Sequence, residues 1–223
     1  MVSPHPRKKN KRRKNKYSSK NGWIRRLSTV LFRMMLGFLV ISFLFVLTLR
    51  WLNPPVSMMM ILQRYDAAMN HRKDFRIDYR WVDWEQIAVH VPLAMMAAED
   101  QKFATHHGFD FESIADAVEA YFTALIEMLW RKQRILEVYM NIVELGDVIY
   151  GVEAASRHFF KKPAGKIGLE EAVRLAAVLP NPRVMNPGHP SSHVLKRARW
   201  IRRQISQLGG RRMLSHIAGS RLR

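Results

Sequence analysis

The feature most able to do chemistry is a carboxylate pair at the end of an apolar run. Leu93-Ala-Met-Met-Ala-Ala leads directly into Glu99-Asp100, and Gln-Lys-Phe103-Ala-Thr-His106-His107-Gly108 follows. Small apolar residues at this density predict a buried helix, so a carboxylate at its end is expected to be partly desolvated. Desolvation raises a carboxyl pKa and suits the group to proton transfer near neutral pH. A carboxylate tied into a structural hydrogen-bond network fits the same position. His106 and His107 are adjacent rather than four apart, so they do not present two ligands on one helix face. The 223 residues include no cysteine, which excludes a thiolate metal site, a cysteine nucleophile and a disulfide framework.

Helices must do most of the positioning. Ile87–Ala98 is apolar, Phe111–Leu145 holds no Gly or Pro, and Glu170–Val178 is rich in Ala and Leu. Within the second stretch Ile114, Val118, Tyr121, Phe122, Leu125, Ile126 and Leu129 are spaced as one face of a single continuous helix. Neither hairpin pairs nor alternating strands and helices are visible, so the body reads as mainly α. Residues 56–69 read as a short amphipathic helix whose methionines suit a membrane interface. Residues 71–84, alternating charge and aromatic character, read as an extended connector. Near the C-terminus Val194, Ala198, Ile201 and Ile205 recur at helical spacing among basic residues, as in a basic helix lying beside an anionic leaflet.

The net charge of +19 is unevenly placed. Residues 1–26 hold 11 Lys/Arg and no acid, residues 172–223 another 11 and no acid, and the middle 15 basic and 18 acidic residues. From Met34 to Leu49 sixteen residues run without charge between Arg33 and Arg50. Sixteen helical residues span about 24 Å, and the flanking arginines can snorkel to make up the rest of a ~30 Å hydrocarbon core. Trp51-Leu-Asn-Pro-Pro offers no A-x-A-like cleavage site, so the segment is expected to remain as an anchor. The basic residues before it place residues 1–26 in the cytoplasm and the body on the outer side, which is the periplasm in a bacterium. Topology and anionic head groups then account for the basic tail, leaving no role for nucleic acid.

Glu99-Asp100-x-x-Phe103-x-x-His106-x-Gly108 resembles the first signature of the peptidoglycan glycosyltransferases, glycosyltransferase family 51. Lys132-Gln-Arg134-Ile-Leu136-Glu-Val-Tyr139-Met-Asn141 is similar to the family's K-x-x-I-L-x-x-Y-L-N block. Gly151-Val-Glu153-Ala154-Ala155, Phe159-Phe160-x-Lys162, Glu171-Ala172 and Leu175 through Pro182 resemble its last block. With an anchor in front, the likeness points to the monofunctional branch, which carries no transpeptidase. It implies a lysozyme-like α-helical domain over residues 85–210, after a tail (1–26), a transmembrane anchor (27–50) and a connector (51–84), and before a basic tail (211–223).

The reaction so implied is polymerisation of a lipid-linked disaccharide-pentapeptide in the bacterial inner membrane, releasing undecaprenyl pyrophosphate. Glu99 corresponds to the catalytic base and Glu119 to the second family carboxylate. The substrate-binding set would be Asp100, Phe103, His106, Lys132, Arg134 and Asn141. Lys132 or Arg134 would meet the pyrophosphate, and a divalent ion such as Mg²⁺ can share that charge. For Asn141, as for Tyr139, bracing the cleft is the plainer role. Membrane lipids and other cell-wall synthesis proteins are the further partners implied.

Two family signatures are incomplete. G-x-S-T-I-x-Q-Q is absent, and of R-K-x-x-E only Glu119 remains, because Phe111-Glu-Ser-Ile-Ala-Asp-Ala-Val118 runs straight into Glu119-Ala120. A few dozen residues are missing relative to the pattern, including hydroxyl, amide and guanidinium donors for the pyrophosphate. Glu119 therefore keeps a plain alternative as one polar residue on a helix. Three readings remain open: an active polymerase, a weak or inactive anchored member with a binding role in wall assembly, and, by fold analogy alone, a lytic enzyme.

Overall fold

The structure is a computed structural model that describes residues 20–72, 74–103 and 114–207; the side chains of 20–22, 100–103 and 114–117 fall outside it. Helix α1 (Lys20–Leu49) contains the stretch Trp23–Leu49, which is long and apolar enough to cross a membrane. The chain divides after Phe45 into two compact units, so the last turn of α1 belongs with the body. Pro54-Pro55 stops the chain from continuing as helix. Ser57 then starts α2 (Met58–Met69), its hydroxyl accepting the Met60 N–H at 3.3 Å.

The core lies between α3 (His90–Phe103), α7 (Leu169–Ala177) and α8 (Ser192–Gln207). Ala94, Ala97 and Ala98 of α3 face Ala172, Ala176 and Ala177 of α7, all buried, and small side chains let the two backbones approach closely. Met95, Val173, Leu175 and Ile201 fill the remaining space. The stripe Val194, Ala198, Ile201 and Ile205 of α8 is buried in this core. Its apolar residues face protein rather than a leaflet, and the exposed face keeps Lys196, Arg199, Arg202 and Arg203.

A small sheet corrects the expectation of no hairpin. Strands β2 (Glu144–Gly146) and β3 (Ile149–Tyr150) pair antiparallel, and β1 (Asp78–Tyr79), inside the expected connector, pairs parallel with β3. The order is β1-β3-β2, and the register shifts between Glu144 and Gly146. Strands of two or three residues are too short to show alternation, and the turn puts positive φ on Val148 instead of a glycine or asparagine. Gly151, at φ +81°, then leads into α6 (Val152–Phe160), where a side chain could not fit: a Cβ would lie 2.4 Å from the Asn141 carbonyl oxygen.

The single helix expected over Phe111–Leu145 is also corrected. It is two helices, α4 (Ile114–Leu129) and α5 (Lys132–Ile142), separated by an extended Arg131 at φ −74°, ψ 147°. No Gly or Pro marks the break. Trp130 causes it: the ring packs with Val46, Leu125 and Val138, and the indole N–H donates to the Val46 carbonyl at 2.8 Å. A straight helix could not seat that ring and also carry α5 against the core.

Candidate active site

Helix α3 carries Glu99 to the rim of the core. Burial along α3 persists through Ala98, and Glu99 itself is exposed, so the desolvation expected for it is not found. Its structural partner is Tyr139 on α5. Burial first, then the negative charge of Glu99 and hydrogen bonding to it, hold the Tyr139 phenol well above its usual pKa. The tyrosine thus stays neutral, with a hydroxyl hydrogen to offer the carboxylate. From the sequence, bracing the cleft is the plainer role for Tyr139. The available signal was its spacing, seven residues after Lys132, which puts both on one face of α5 about 10 Å apart along the axis.

The other expected residues separate by helix face. Lys132, the first residue of α5, is exposed. Arg134, expected to be available to a phosphate, is instead locked into the fold. Its guanidinium donates to the carbonyls of Leu49 and Leu52 (3.1 and 2.8 Å), to Asn53 Oδ1 (2.9 Å) and to Glu137 (2.9 Å), and it stacks on the Trp81 ring. Every nitrogen already has a carbonyl or carboxylate partner, so Arg134 fastens the chain leaving α1 to α5.

Asn141 follows the same logic. Fully buried, it accepts the Val82 N–H at 2.8 Å and donates to the carbonyls of Val82 and Glu137, both at 2.9 Å. Glu137 completes the clamp by accepting the Trp84 N–H at 2.9 Å. The face Arg134–Glu137–Asn141 therefore binds the connector, while Tyr139, on another face of α5, meets Glu99.

Glu119 lies exposed on α4, and among the described residues no hydrogen bond or ion pair joins it to Glu99 or Lys132. Asp100 and Phe103 continue α3, with side chains outside the described set, and His106 lies outside the described residues altogether. Glu153 was matched by sequence without a role. Buried, it accepts the Ala164 N–H at 2.7 Å and pairs with Arg157, holding the turn after α6. Among the described residues no three His, Asp or Glu converge on a point that could hold a metal ion.

An exposed carboxylate at the mouth of a buried helix, oriented by a neutral phenol, with an ammonium group on the same neighbouring helix, can accept a proton beside an anionic leaving group. A family model described as Transglycosylase matches residues 67–123 and 117–206. The chain is 38% identical over 224 aligned positions to the biosynthetic peptidoglycan transglycosylase of Xylella fastidiosa (strain M12), covering 84% of this chain and 90% of that protein. It is 40% identical to the protein of that name from Ectopseudomonas mendocina (strain ymp), covering 86% and 93%, and 37% to that of Chromohalobacter salexigens, covering 87% and 98%. In the first comparison, 84% of 223 residues is about 187, so about 37 of the 224 positions have no residue in this chain. The two pieces of the family match overlap at 117–123, a stretch that contains Glu119.

Proposed function

This chain belongs to the transglycosylase family, and from that premise we propose that it is a peptidoglycan glycosyltransferase which extends glycan strands from a lipid-linked disaccharide-pentapeptide. Its mainly helical body is the lysozyme-like fold of that family. Glu99 accepts the proton of the acceptor sugar's 4-hydroxyl as that oxygen bonds to the donor's anomeric carbon. The bond from that carbon to the pyrophosphate oxygen breaks with its electron pair, inverting the centre and releasing undecaprenyl pyrophosphate.

Tyr139 is a positioning residue: its hydroxyl orients the carboxylate so that a free oxygen faces the incoming sugar. Lys132 offers positive charge to the departing pyrophosphate, and Glu119 is the second carboxylate of the cleft. A divalent ion such as Mg²⁺ would share the charge of the departing pyrophosphate with Lys132. The anchor keeps the body at the outer face of the inner membrane, with residues 1–26 in the cytoplasm, where membrane lipids and other wall-building proteins are within reach.

The observation that carries this reading is Glu99 at the exposed end of α3, set against Tyr139 on the α5 face that also bears Lys132. An inert member is not favoured, because relatives spanning most of this chain carry the enzyme's name. The test uses purified full-length protein with the lipid-linked precursor, with and without Mg²⁺. Polymer is expected, and Glu99→Gln should slow its formation by about 10²–10⁴ without shifting the unfolding midpoint. A folded, membrane-inserted wild type that makes no polymer under either condition rejects the proposal.

A further inference from the structure

Helix α2 is apolar on two opposite faces, and the fold covers only one. Met60 and Ala67 point inward at 0% and 4% exposure, and Gln63 between them donates from Nε2 to Glu144 Oε1 at 3.0 Å. Arg183 holds the same carboxylate through both oxygens, at 2.9 and 3.2 Å. With the Ser57 cap at its start, α2 cannot roll about its axis without breaking this network. The opposite face carries Met58, Leu62, Tyr65 and Met69, at positions i, i+4, i+7 and i+11, with Ile61 beside them. Their exposures are 70%, 54%, 65%, 63% and 48%. A stripe with that period is what a helix presents to something that covers it.

Three observations point to a lipid surface as the cover. The stripe begins nine residues after Leu49, the end of the segment apolar enough to span a membrane, and a chain that short reaches at most about 30 Å. Between them Trp51 is exposed with the Arg50 guanidinium 5.2 Å from its ring, a pairing suited to the water–bilayer boundary. Charge agrees as well: the first acidic residue of the whole chain is Asp66, while Arg50, Arg64 and Arg72 lie at or beside α2.

We propose that the outward stripe of α2 lies in the outer-leaflet interface as a second attachment to the bilayer, with the helix parallel to the surface. The body is held at two points, with fixed height and orientation above the membrane. The inference rests on the span and on α2, not on glycosyl transfer, so it stands or falls separately from the proposed activity.

Because the chain has no cysteine, labels can be placed singly. Full-length Leu62→Cys and Met69→Cys, with Ser192→Cys at the start of α8 as control, would carry an environment-sensitive fluorophore in phosphatidylethanolamine–phosphatidylglycerol vesicles. All three positions are exposed, so labelling leaves the core intact. Nitroxide lipids labelled near the head group should quench Leu62→Cys and Met69→Cys about fivefold more than a water-soluble quencher does, with the order reversed at Ser192→Cys. Aqueous quenching of the stripe equal to that of the control overturns the proposal. Protection from both quenchers overturns it too, since a protein, such as a second copy of this chain, would then cover the stripe.

Discussion

Trp130 and Val46 are joined by an indole N–H donated to a backbone carbonyl at 2.8 Å, across 84 positions of sequence. This bond ties the end of the membrane-length helix to the break between α4 and α5. α5 begins just beyond that break and carries Tyr139, which meets Glu99.

Trp130 is consequently a structural hinge post. Trp130→Phe keeps an aromatic ring but drops the N–H, and should cost about 1 kcal/mol; Trp130→Ala also opens a cavity and should cost about 3–5 kcal/mol. Denaturant unfolding of the detergent-solubilised protein measures both. Equal costs for the two variants would mean that the ring's packing contributes nothing.

Lys132 and Arg134, two residues apart, should fail in different ways. Lys132→Met, at an exposed position, should leave the unfolding midpoint unchanged and slow polymerisation by about 10–10², the usual scale for a lost electrostatic contact to a leaving group. Arg134→Met should instead lower stability by about 2–4 kcal/mol, because it strands Glu137 and the carbonyls of Leu49 and Leu52. Steady-state rates per folded molecule, measured beside unfolding curves, separate the two.

Alkaline pH should expose the buried phenols. Burial comes first in raising both Tyr139 and Tyr150, the latter pushed up to about 12, with the Glu144 charge adding to it. Each phenol is neutral when protonated, and its folded pKa lies above the unfolded value near 10. Their contribution is therefore fully present below pH 10 and is lost as pH rises towards 12, by up to about 1.4 kcal/mol per unit per tyrosine. Unfolding followed from pH 9 to 12 should show this slope in the wild type. A flatter slope is expected in Tyr150→Phe, and an unchanged one would refute the assignment.

Gly151→Ala should be among the costliest small substitutions in the body. The added methyl would meet the Asn141 carbonyl at 2.4 Å in a backbone region that L-residues rarely adopt. A loss of about 2 kcal/mol or more is expected. Because Asn141 bonds Val82, the damage should reach the connector and appear as faster amide exchange at Val82 and Trp84.

Much of this protein was legible from residue order alone. The apolar run of α1, the inward positions of α3 and α7, and the carboxylate at Glu99 follow from hydropathy and helical spacing, which are local properties. What sequence could not assign was the partner of each polar group. Arg134 and Asn141 have the residue types of ligand contacts, yet they bond segments 81 and 59 positions away at Asn53 and Val82. Tyr139 has the type of a core aromatic, and it meets the carboxylate of Glu99. The break at Arg131 and the outward stripe of α2 were decided the same way, by where Trp130 found a seat and by which face the core had room to cover. Periodicity tells a helix that it has a face; only the assembled fold determines what that face meets.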